Sequence, residues 1–155
     1  MNFTTTAACV LSCLISLILS SPLLAEEIAA SLANELASQV ATIKRQAGGY
    51  LATVTAADPI FNVPVGSKLT VVVVPSLDAG LGHVGIAIGQ ETIPCVITTA
   101  QGGMIGFNYD KQPRYLLGLI RIDAAGAPKQ LVLTRGTLDG LSSLEADMQR
   151  IPEPE

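Results

Sequence analysis

Apolar residues recur along this chain at two different spacings. From Glu26 to Ala47 they follow a helical step: Ile28, Leu32, Leu36, Val40, Ile43 and Ala47 fall on one stripe. Ala29, Ala33, Ala37 and Ala41 widen that stripe with small side chains, while Ser31, Asn34, Glu35, Ser38, Gln39 and Thr42 make a polar, weakly charged opposite face. Glu26 and Glu27 complement the positive end of such a helix, Lys44 and Arg45 the negative end, and Gly48-Gly49 stops it. The pattern predicts an amphipathic helix packed on a sheet.

From Tyr50 onward, β-branched runs of five to eight residues alternate with Gly, Pro, Asp and Asn. Strands are predicted over 50–55, 69–74, 83–88, 93–99, 104–107, 115–122 and 130–134, with a short edge piece at 61–63. The unbroken Val71-Val72-Val73-Val74 predicts a strand covered on both faces. Near the C-terminus, Leu141, Leu144, Met148 and Ile151 return to helical steps behind a Ser142/Glu145 capping-box spacing, and Pro152 and Pro154 end the run. The fold class expected is α+β: an N-terminal amphipathic helix, a mostly antiparallel β-sheet or small β-sandwich body, and a short C-terminal helix. The eleven residues VGSKLTVVVVP, 65–75, resemble the strand opening of Ig-like extracellular modules, which implies a sandwich.

The start of the chain changes the picture. Residues 7–19, AACVLSCLISLIL, form an uncharged apolar run; Pro22 follows it, and Ala25 precedes Glu26-Glu27. These are the parts of a secretory signal peptide, although no Lys or Arg precedes the run. The expected organisation is a signal peptide at 1–25, one α+β domain at 26–151 and a disordered tail at 152–155. The expected location is secreted or periplasmic; retention of residues 1–25 as an anchor would instead tether the protein to a membrane as an accessory subunit. Cleavage removes Cys9 and Cys13 and leaves Cys95 as the sole cysteine, so packing rather than disulfides must hold the fold. A net charge of −4 without basic clusters argues against nucleic acid. With no Trp, the chain offers poor material for aromatic ligand cages.

Candidate chemistry is sparse. Gly80, Gly82 and Gly85 spell GxGxxG, but β-like sequence follows where a dinucleotide fold needs a helix, and no carboxylate lies about 20 residues on. No cofactor is expected. His83 is the single histidine, in GHVGIAIG. That segment resembles the histidine-bearing strand of NlpC/P60-type cysteine peptidases, which implies a peptidase or amidase using Cys95 and His83. In that family the cysteine precedes the histidine at a helix start; here Cys95 follows it within a β-like run. If Ile88 faces Ile93 in a hairpin, His83 faces Thr98, and Cys95 and His83 project from opposite faces of the sheet. One histidine and one remaining cysteine make a metal site unexpected. Asp58, Asp110 and Asp123 sit where turns need them. The richest loop is 108–114, NYDKQPR, and Tyr109, Asp110 and Arg114 are the expected binding residues. The function expected is a non-catalytic binding or assembly module whose partner is another protein, with the cysteine hydrolase and the tethered subunit as alternatives.

Overall fold

A computed structural model of the chain describes residues 22–77, 80–109, 111, 115–137 and 140–152. Contacts divide the chain into two units, Met1–Ala37 and Ser38–Glu155. Helix α1 spans Pro22–Gln46. It starts on a proline, whose missing N–H would have no partner in a first turn anyway. Glu26 and Glu27 therefore lie beyond that turn, whereas Lys44 and Arg45 occupy the last one as expected. In the first unit the apolar stripe faces water: Leu24, Ile28, Leu32 and Leu36 are 44–61% exposed.

Within the second unit, the end of α1 is docked. Ile43 is fully buried. The Gln39 side-chain oxygen accepts the Ala100 N–H at 3.0 Å, and the Gln46 amide donates to the Gly126 carbonyl at 2.7 Å. Two carbonyls that α1 leaves without helical partners are also satisfied. The Tyr50 hydroxyl donates to the Gln46 carbonyl at 2.8 Å, and the Arg150 guanidinium donates to the Ala47 carbonyl at 2.9 Å.

The rest of this unit is a closed barrel of eight antiparallel strands, each paired with its neighbours in sequence. The strands are β1 (Gly48–Ala57), β2 (Lys68–Pro75), β3 (Gly82–Ile88), β4 (Glu91–Gln101), β5 (Met104–Tyr109), β6 (Leu116–Ile122), β7 (Pro128–Thr137) and β8 (Gly140–Arg150). The sandwich expectation and the C-terminal helix are therefore both corrected. Residues 140–150 form β8, which pairs with β7 from Gln130↔Asp147 to Thr137↔Gly140 and with β1 from Tyr50↔Arg150 to Ala57↔Leu144. Leu144, Ala146 and Met148 point inward at period two. Leu141 and Ile151, which suggested a helical stripe, are exposed. The 61–63 piece is not a strand either: Pro59–Phe61 is a 3₁₀ turn leading into a loop.

Turn chemistry fits this meander. Gly102 and Gly103 both have positive φ in the two-residue β4–β5 turn, as a type I′ hairpin requires. Gly82 approaches the Val74 carbonyl so closely that a Cβ would overlap it. This gives the glycine-rich segment a packing role at the β2–β3 connection. Register shifts at Val54/Ala56, Ile97/Thr99 and Arg121/Ile122 bend the strands round the ring.

The barrel interior is apolar and filled. Tyr50, Val54, Leu69, Val71, Val84, Ile86, Ile105, Ile120, Leu131, Leu133 and Leu144 are at most 1% exposed. Eight strands enclose a space just wide enough for such side chains. Val71 and Val73 face in, while Val72 and Val74 are 38% and 48% exposed, so β2 is covered on one face only. Outside, Arg121 donates to the Gln130 side-chain oxygen at 3.1 Å, and the Gln130 amide donates to the Glu145 carboxylate at 2.9 Å. These bonds bridge β6, β7 and β8. An apolar inside with a mixed, partly charged outside is the reverse of a membrane-spanning barrel, whose apolar band faces outward.

Phe107 and Gly118 are direct cross-strand partners, and a Cβ on Gly118 would overlap the Phe107 ring. Gly118 thus makes the room that this inward ring needs. Gly118→Ala is expected to lower stability by about 1–3 kcal/mol, read from the urea midpoint at unchanged slope.

Candidate ligand site at the barrel mouth

Strand direction gives the barrel two unlike ends. The α1–β1, β2–β3, β4–β5 and β6–β7 connections share one end, which Ile43, Gln46 and Tyr50 close. The other end carries the β1–β2, β3–β4, β5–β6 and β7–β8 connections. It opens into a cavity of about 680 Å³.

The longest of these connections, β1–β2, is fixed at both sides. Asp58 donates its N–H to the Ser143 carbonyl at 2.9 Å, and its carboxylate accepts the Ser143 N–H at 2.6 Å. Gly66 donates to the Val54 carbonyl at 2.8 Å, and Val54 to the Ser67 carbonyl at 2.9 Å. Between these ties, Asn62 takes a left-handed φ of 50° after the 3₁₀ turn. Phe61 and Val63 pack against the core. The segment forms one wall of the cavity, with Ile60, Phe61, Asn62, Val63 and Pro64 among the lining residues.

The cavity floor consists of Leu69, Leu116 and Leu133, all buried. Strand alternation then fixes the next level up. Arg135 lies two residues beyond Leu133 on β7, Tyr109 two beyond Phe107 on β5, and Glu91 two before Ile93 on β4. Each therefore stands on the inward side of its strand, at the boundary between core and water. The lining also includes Tyr115, Asn62 and Ser67, and Lys68, which shares the outward side of β2 with Thr70 and Val72. An apolar base under a few convergent polar groups, in a volume of this size, is the usual make-up of a small-molecule site.

Of the residues expected to bind, Tyr109 lines this cavity and is half-buried. Asp110 and Arg114 lie outside the described residues. Lys68, Glu91 and Arg135 were missed by sequence reasoning. Their available signal was position: each sits at or near the mouth end of a strand. That becomes readable only once the strand order is known.

Cys95 and His83 are placed differently. The observed pairs are Ile88↔Glu91, Val84↔Cys95 and His83↔Val96, so the hairpin is two residues out of the expected register. Gly89-Gln90 alone forms the turn, with Gly89 at φ 62°. A shift of two preserves side-chain alternation. Cys95 is fully buried in the core, while His83 is exposed on the outer face. The sheet separates thiol from imidazole.

Asp123 serves a turn. The Asp123 carboxylate accepts the Ala125 and Ala127 N–H groups, both at 2.9 Å. Among the described residues, no cluster of three His, Cys, Asp or Glu side chains could hold a metal ion. Compared with family models, curated proteins and solved structures, the chain matches none.

Burial pushes the Cys95 thiol from 9.0 up to about 11. At neutral pH it is a protonated core group, the opposite of an activated nucleophile. Between those two values the folded state holds a proton that the unfolded state has released. Stability from this group is complete below pH 9.0 and is lost as pH rises through 11. Tyr50 is also raised, by burial first, with Arg150 opposing, and acts in the same direction. Urea midpoints are expected to fall as pH rises through that range and to fall less steeply in Cys95→Val.

Proposed function

We propose that this protein is a non-catalytic binding module whose ligand is a small molecule seated in the open mouth of the β-barrel. The observation that carries this reading is the 680 Å³ cavity, with its floor of Leu69, Leu116 and Leu133 and its rim of Arg135, Tyr109, Glu91 and Lys68. The β1–β2 segment, tied to β8 through Asp58 and Ser143, preorganises one wall. A wall ordered before binding lowers the entropy lost when a ligand enters. The reading prefers a small molecule to the protein partner expected from sequence, because a concave mouth buries a small ligand better than a flat contact. It also prefers binding to hydrolysis, since Cys95 is a buried thiol on the opposite face of the sheet from His83.

The proposal includes export directed by residues 1–25. Cleavage after Ala25 would remove the first turn of α1 and take Leu24 out of the exposed stripe. Retention would leave that stripe continuous with the apolar N-terminal run. The tethered accessory subunit rests on this, and on the exposure of Ile28, Leu32 and Leu36.

The test uses 1-aminoanthracene, a small, neutral, environment-sensitive fluorophore. Saturable blue-shifted emission at one site per chain is expected. Ile93→Trp, which puts a large ring into the mouth, is expected to weaken it at least about tenfold, about 1.4 kcal/mol. A variant that keeps its thermal midpoint and binds the dye as well as wild type would place the dye elsewhere and defeat the proposal.

A further inference from the structure

We infer that the mouth selects an organic anion: a short amphipathic acid whose apolar part lies on Leu69, Leu116 and Leu133 and whose carboxylate engages Arg135. This rests on the mouth being a binding site, and it adds the ligand's charge, its length and the residue that recognises it.

Length follows from the floor. The interior beneath Leu133 is occupied by Leu131, Ile120, Ile105, Val71 and Ile86, all fully buried. Close-packed side chains leave no channel along the barrel axis. A long chain therefore cannot run down the barrel, and the apolar part must fit the mouth itself. The lining supplies further apolar contact at Phe61, Val63, Ile88 and Ile93.

Charge follows from the rim. The whole chain has a net charge of −4, yet the described lining holds two cations, Lys68 and Arg135, against one carboxylate, Glu91. Donors also outnumber acceptors there: besides the two cations, the Tyr109 and Tyr115 hydroxyls and the Asn62 amide can donate.

Arg135 is the residue best placed to recognise an acid. It stands on the inward side of β7, one alternation above Leu133, so its aliphatic stem extends the apolar floor below the guanidinium. Tyr115 leads directly into β6, the neighbour of β7 in the ring, and Tyr109 ends β5. Arg135 and both tyrosines thus share the β5–β7 side of the mouth. Glu91 lies on β4, three strands from β7. Arg135 has interactions of its own, so the ligand's acid joins or replaces them. A guanidinium can grip a carboxylate with two parallel hydrogen bonds, which an ammonium cannot.

The experiment compares three probes of equal chain length, octanoate, 1-octanol and octylamine, by calorimetric titration of the full chain at low salt and below their aggregation concentrations. Octanoate is expected to bind at least about tenfold more tightly than octanol, as one charge-assisted hydrogen bond implies. Arg135→Gln is expected to remove that advantage, bringing octanoate affinity down to that of octanol in the same variant. Arg135→Lys is expected to restore only part of it. Equal affinity for octanoate and octanol would overturn anion selection while leaving the mouth site standing. Tighter binding of octylamine would overturn it in favour of Glu91. If none of the three binds, the mouth reading and this inference fall together. Loss of octanol binding in Arg135→Gln would show that the arginine shapes the mouth rather than reading charge, and would overturn its assigned role.

Discussion

Everything in the barrel depends on the last strand pairing twice. β8 donates and accepts along β7 on one side and β1 on the other, and so converts a seven-strand meander with two open edges into a ring. An open sheet would expose a row of unpaired N–H and C=O groups at each edge and would leave its inward face without an opposite wall. Closure removes both problems. It turns Leu144, Ala146 and Met148 onto Val54, Ala52 and Leu131 as part of one buried core. The same strand also carries Ser143, which ties down the segment walling the mouth, and Arg150, which caps α1 at the other end. One strand therefore links the core, the plugged end and the open end.

The two ends then follow as a contrast in what fills them. At the α1 end, Ile43 completes the core, while Gln39, Gln46, Tyr50 and Arg150 give backbone groups their partners, the Tyr50 bond to the Gln46 carbonyl being buried. Arg150 also lies 6.0 Å from the centre of the Tyr50 ring. Among the described residues no α-helix enters the mouth, and the leucine floor lies below a mixture of apolar, polar and aromatic side chains. The polar ones keep the barrel top wetted yet leave apolar surface beneath them. The structure thus spends its packing on one end and keeps the other receptive.

Most of the elements were legible in the sequence, whereas the closed barrel they build was not. Seven strand positions and the course of α1 could be read from periodicity, and Gly102-Gly103 from its turn chemistry. β8 was misread because Leu141, Leu144, Met148 and Ile151 fall at helical steps behind a Ser142/Glu145 capping-box spacing. The alternation of Leu144, Ala146 and Met148 with Glu145, Asp147 and Gln149 was present as a competing signal. Pairing on both sides lets that alternation prevail over local propensity. The Val71–Val74 run misled for a related reason: an exposed valine on a barrel's outer face is indistinguishable, in sequence, from one under a second sheet. The mouth itself was only partly legible. Tyr109 stood out as an aromatic in a polar loop, whereas Arg135 and Glu91 gain their meaning from strands far apart in sequence that closure brings round one opening.

The most direct test of this account is where a ligand touches the protein. In an isotope-filtered NMR experiment with octanoate, intermolecular NOEs are expected from the ligand's methylenes to the methyl groups of Leu69, Leu116 and Leu133. Contacts instead to Ile28, Leu32 and Leu36 of α1, or to Val72 and Val96 on the outer wall, would contradict it.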